Sequence, residues 1–115
     1  MLPRQLTGAE LGELRESFRD LLNYDSQDPS DPIDPLTYRH PDGDGCLHIA
    51  AQRGDYRSTQ LLLHAGLDPN DQGDMGQTPL HYAKRNGHQK VVDLLLSSGA
   101  SSSIRDEFGK TAVEI

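Results

Sequence analysis

The sequence predicts an all-α chain of stacked helix–loop–helix repeats, and three observations predict it. The chain matches itself when shifted by 33 residues, glycine returns at fixed places in each unit, and the apolar residues between the glycines fall at helical spacing. The shift lays Gly43 on Gly76 and Gly109, Leu47 on Leu80, His48 on His81, Ala50 on Ala83 and Gly54 on Gly87. Further along, Leu61, Leu62 and Leu63 fall on Leu94, Leu95 and Leu96, Gly66 on Gly99, and Thr78 on Thr111. Neither helix pair of such a unit can bury its apolar face alone, so the units must stack into a continuous core.

Taken in order, the first element is an acidic amphipathic helix within residues 1–24. Thr7 followed by Glu10 fits a capping box, and Leu11, Leu14, Phe18, Leu21 and Leu22 make an apolar stripe. The stripe serves either as a cap on the first repeat or as a docking surface for a partner or a second copy. Residues 25–41 read as a Pro/Asp-rich extended linker, because Pro29, Pro32, Pro35 and Pro41 each remove a backbone donor and push the preceding residue away from helix. The Asp spacing from Asp25 to Leu36 lacks the central Gly and closing Glu of a calcium loop, and Asp42-Gly43-Asp44-Gly45 fails in the same way.

The repeats occupy residues 42–115, as units of about 42–74 and 75–107 and a partial third at 108–115. In the second unit Thr78 is a good N-cap and Pro79 suits the first helical position, where its missing N–H is not needed. Leu80 and Ala83 share a face of a short helix that Gly87 closes. A second helix runs through Val91, Val92, Leu94, Leu95 and Leu96 to Gly99. The first unit repeats this with Leu47, Ala50, Ala51 and Leu61–Leu63, though Gly45-Cys46 replaces Thr-Pro and Ser58-Thr59 replaces Val91-Val92. The third unit stops at Ile115, early in its first helix. That leaves an inter-repeat face for further chain or a partner to cover.

The run Gly76-Gln77-Thr78-Pro79-Leu80-His81-Tyr82-Ala83, followed by Gly87-His88, Val91-Val92, Leu94-Leu95-Leu96 and Gly99-Ala100, closely resembles the ankyrin-repeat consensus. The resemblance covers roughly residues 40–115. It implies an ankyrin-type helical solenoid, a non-catalytic role in binding another protein, and a concave binding face made of turn tips and first helices. It also implies that His48 and His81 hydrogen-bond backbone between neighbouring units. By register, the positions left free on the concave face are Asp44, Ile49, Gln52 and Arg53 in the first unit. Asp74, Met75, Gln77, Tyr82, Lys84, Arg85 and Asn86 follow in the second, and Glu107, Phe108 and Lys110 in the third.

Charge narrows the partner. The net charge is −7, and residues 1–45 hold ten acids against four arginines, a balance of −6. A negative field disfavours a nucleic-acid backbone and suits a basic protein surface. No apolar run has the length of a membrane span, and the opening Met1–Leu6 has no apolar core of signal length. Cys46, the single cysteine, fits the reducing cytosol.

No catalytic, metal or cofactor site is expected. None of the five histidines stands at i, i+4 to another, there is no cysteine pair, and the glycines are spent on the repeat. Cys46 at a helix start would have a lowered thiol pKa, which is the one hint of reactivity. Narrower functional alternatives are an inhibitor or immunity-type protein that neutralises a basic enzyme or toxin, and a regulatory part of a larger multidomain protein.

Overall fold

A computed structural model describes residues 5–114 of the chain. Met1–Arg4 and Ile115, on which part of the reading of the two ends rests, lie outside them. Five helices follow in order: α1 (Gly8–Ser17), α2 (Cys46–Arg53), α3 (Tyr56–His64), α4 (Pro79–Arg85) and α5 (Gln89–Ser97). Single 3₁₀ turns occur at Asp74–Gly76 and Ala112–Glu114. The described residues contain no strand, only one isolated antiparallel bridge between Arg39 and Gly45.

The capping box forms at the start of α1. The Glu10 N–H donates to Thr7 Oγ1 at 3.1 Å, and the Thr7 N–H donates to Glu10 Oε1 at 3.0 Å. The helix is shorter than the apolar stripe suggested and stops at Ser17 rather than near residue 24. A distant residue ends it: the Arg53 guanidinium donates to the freed Ser17 carbonyl at 3.1 Å, and the chain turns so that Phe18 lies beneath Arg53. Leu14 and Phe18 are fully buried, whereas Leu22 is half exposed. Leu14 and Phe18 of the stripe are therefore covered by the chain's own fold, and α1 packs against α3, as a cap on the first repeat does.

Residues 25–41 are packed rather than a free extended linker. Ile33, Pro35 and Tyr38 are buried. Asp34-Pro35 reproduces the turn at Asp68-Pro69: Asp34 Oδ1 accepts the Leu36 N–H at 3.0 Å, and Asp68 Oδ1 accepts the Asn70 N–H at 2.9 Å. The two turns lie one residue further apart than the 33-residue period.

The helices form two layers. α2 packs on α4 in the inner row, while α1, α3 and α5 make the outer row, with α3 between the other two. α1 thus stands where the second helix of a preceding repeat would stand, with no inner helix beside it among the described residues. The core runs between the rows through Leu47, Ala50, Leu61, Leu62, Leu80, Ala83, Val91 and Leu95. Ser58 and Thr59 take core positions that valines hold in the next repeat, and both are buried. The Thr59 hydroxyl donates to the Asp55 carbonyl at 2.8 Å, so its polar atom is satisfied within its own helix.

His48 and His81 do what the resemblance implies. Each Nδ1 accepts the backbone N–H at the helix start, from Gly45 at 3.0 Å and from Thr78 at 3.1 Å. Each Nε2 then donates onward, to the Asp71 carbonyl at 2.8 Å and the Lys110 carbonyl at 2.9 Å. The two rings join a helix start to the next hairpin, which spaces the repeats. Gly54 is required for two reasons: its φ is +70°, and a Cβ there would sit 2.6 Å from His88 Nδ1.

Candidate protein-binding surface

Three hairpin tips project beside the inner helices. In each, the first residue's N–H donates to the carbonyl four residues on: His40 to Asp44 at 2.7 Å, Gly73 to Gln77 at 2.7 Å, and Asp106 to Lys110 at 2.9 Å. Gly43, Gly76 and Gly109 close the tips with positive φ, which explains their regular return. The tips are also tied to one another. The Asp74 N–H donates to Asp44 Oδ1 at 2.9 Å, and the Glu107 N–H donates to the Met75 carbonyl at 2.9 Å. Gln72 Nε2 bridges the Gly76 and Arg105 carbonyls at 3.0 and 3.1 Å.

Equivalent positions at the tips are Asp42, Met75 and Phe108. Met75 is 48% exposed and Phe108 69% exposed, large apolar side chains held out to solvent on neighbouring tips. Met75 also sits at φ 54°, where a side chain crowds its own backbone. Asp42 escaped the sequence reading, although the 33-residue register that singles out Met75 and Phe108 points to it as well.

The inner helices supply the polar part. Gln52, Lys84, Arg85 and Asn86 are exposed at the ends of α2 and α4, while Ile49 and Asp74 are half-buried. The Lys84 side chain has no hydrogen-bond or ion-pair partner among the described residues. Arg85 stacks 5.7 Å over the Tyr82 ring and donates to Gln77 Oε1, and the Asn86 amide donates to the Tyr82 carbonyl at 2.8 Å. Arg53 is turned toward the N-terminal segment, pairing with Asp20 at 2.6 Å and lying 5.7 Å over Phe18.

Three expected surface residues are buried instead. Asp44, Gln77 and Tyr82 are 7%, 6% and 6% exposed. The Tyr82 hydroxyl donates to Asp44 Oδ2 at 2.8 Å, so one carboxylate holds the first tip, the second tip and α4 together. Burial foremost, and then the hydrogen bond to Asp44, raise the Tyr82 phenol well above its ordinary pKa. These three side chains are spent on shaping the surface rather than presenting it.

The family-model comparison decides the family: ankyrin repeats, in a description of three copies, match residues 9–114. The chain belongs to the ankyrin-repeat family. The match begins in α1, ahead of the point where the 33-residue alignment starts. No curated protein matches the chain. Ankyrin repeats generally mediate protein–protein interaction.

Cys46 lies at the start of α2 and is fully buried. Burial pushes its thiol up to about 12, against a smaller lowering by Arg53. That corrects the expectation that the helix start would lower it: desolvation of a thiolate outweighs the end of an eight-residue helix. No three His, Cys, Asp or Glu side chains are placed to hold a metal ion among the described residues. Nor is any helix there long and apolar enough to cross a membrane.

Proposed function

We propose that this protein is a non-catalytic module that binds a partner protein across its concave face. Met75 and Phe108 act as apolar anchors, and Gln52, Lys84, Arg85 and Asn86 provide the polar rim. The observation that carries this reading is the pair of exposed apolar tips, braced by the Met75–Glu107 backbone bond. Solvent alone favours neither exposed side chain, whereas anchors of this kind account for most of the affinity at protein interfaces. The tip row carries Asp42, Asp74 and Glu107 against Lys110, and the rim adds Lys84 and Arg85, so the face mixes both signs, as suits a protein partner. The chain's net charge of −7 is what favours a basic one. Inhibition of a basic enzyme or toxin is the narrower version of this reading. A buried free thiol suits a reducing compartment.

Site-specific photocrosslinking tests the assignment. A crosslinkable residue replaces Met75 or Phe108, or Lys90 on the outer side, in the full chain expressed in its native host. Lys90 lines an open depression of about 710 Å³ with Tyr56 and Leu94, which makes it the competing surface. The expected result is one shared partner captured from both tips, and capture of that partner by a crosslinkable residue at Lys84 that is lost when Met75 and Phe108 are both replaced by Ala with the helical signal unchanged. Capture only from Lys90, or from none of the three positions, refutes the assignment.

A further inference from the structure

The N-terminal cap carries a groove of its own, away from the concave face. Gly12, Arg15 and Glu16 of α1, together with Arg19 just beyond it, face Ser30, Pro32 and Ile33 across a cavity of about 320 Å³ underlain by Phe18. Gly12 sits mid-helix, where glycine is about 1 kcal/mol less favourable than alanine. Its place in the fold does not require glycine, since φ is not positive and a Cβ there would meet nothing within 4 Å. The missing side chain leaves one end of the groove open.

Two arginines stand against one glutamate in the groove's lining, a balance opposite in sign to the net charge of the chain. The Arg15 side chain has no hydrogen-bond or ion-pair partner among the described residues. Arg19 holds Glu16 at 3.0 Å, but their side chains are 76% and 69% exposed. A pair that exposed is readily exchanged for another carboxylate. Two arginines four residues apart, lining the same cavity as Pro32 and Ile33, offer a fork for a carboxylate next to an apolar wall.

We propose that this groove binds an extended peptide of a partner protein in which an apolar side chain stands next to a carboxylate. The apolar side chain lies beside Gly12 and Pro32, and the carboxylate pairs with Arg15. The chain's net charge of −7 slows the approach of such a peptide. Screening over about 8 Å at physiological salt nevertheless leaves the local arginines to decide the contact.

The test is an amide chemical-shift titration of the full chain with a synthetic peptide of alternating leucine and glutamate. The same peptide with lysine for glutamate is the comparison. The expected result is saturable shifts at Gly12, Arg15, Phe18 and Ile33, with the glutamate peptide bound at least tenfold more tightly. Gly12→Leu fills the groove and abolishes binding, and Arg15→Glu reverses the preference on a surface position that leaves the fold intact. Gly12→Ala raises the thermal midpoint, which shows that folding does not need this glycine. Absence of saturable shifts at millimolar peptide, equal response to both peptides, or unchanged affinity in Arg15→Glu overturns the proposal. None of these results bears on the concave face.

Discussion

Removing the Tyr82 hydroxyl tests whether the Asp44 carboxylate holds the binding surface together. Asp44 accepts from Tyr82 at 2.8 Å and from the Asp74 N–H at 2.9 Å, and both side chains are more than nine-tenths buried. A hydrogen bond to a charged group contributes about 1.5–3 kcal/mol, and a buried orphan adds its desolvation cost. Tyr82→Phe is therefore expected to destabilise the fold by about 2 kcal/mol. Asp44→Ala is expected to cost more, since it strands the phenol and the Asp74 N–H together. Asp44→Asn, whose amide still accepts from Asp74 and can donate to the phenol oxygen, falls between Tyr82→Phe and the wild type. Urea unfolding of the two single variants and of Tyr82→Phe/Asp44→Ala gives the coupling directly, expected at about 1.5–3 kcal/mol. Hydrogen exchange at the Asp74 amide should accelerate in Asp44→Ala. Coupling below about 0.5 kcal/mol, the usual error of additivity, would refute the reasoning and make the contact incidental to the fold.

Two further outcomes follow from the same geometry. Gly54→Ala and Gly87→Ala both place a Cβ at φ near +70°, but only the first meets a neighbour, 2.6 Å from the His88 ring. Gly87→Ala is expected to cost about 1–2 kcal/mol for the left-handed backbone alone. Gly54→Ala should cost at least about 1 kcal/mol more and break the 3.0 Å bond from His88 to the Gln52 carbonyl. Equal losses in thermal or urea unfolding would sink the steric argument. The Cys46 thiol is raised in the folded chain from an ordinary 9.0 to about 12. Its stabilisation is thus fully present below pH 9 and lost as pH rises toward the folded value. The loss reaches about 2 kcal/mol by pH 10.5, and Cys46→Ala should flatten that part of the urea-midpoint profile. An identical profile in the variant would show that the thiol has the same pKa folded and unfolded.

Local chemistry was legible in the sequence; long-range chemistry was not. The Thr7/Glu10 box, the Thr78-Pro79 helix start and the tip glycines act within four residues of themselves, and their residue types are specific to one geometry. The end of α1 was misjudged because it depends on Arg53, 36 residues from the Ser17 carbonyl it engages. Asp44 and Tyr82 looked free for the same reason: their partner positions lie 38 residues apart, and neither residue type is ordinarily apolar core. The packing of residues 25–41 was hidden by prolines, which mark an irregular backbone equally well whether it is free or buried. The exposed tips were found because a position just before a turn glycine stays outside the core in every repeat.

The inner row bears on how long a partner is held at the proposed surface. Among the described residues the inner row comprises α2 and α4, helices of eight and seven residues. Each is about 12 Å long, and neighbouring helices lie about 8–10 Å apart. Such a strip presents a few hundred Å², short of the roughly 800 Å² per side of an ordinary stable interface. A partner held by the helices alone would come and go quickly. To stay, it must reach over the hairpins and enclose the methionine and phenylalanine at their ends. On the proposed reading, residence time, more than recognition, is what those two side chains control.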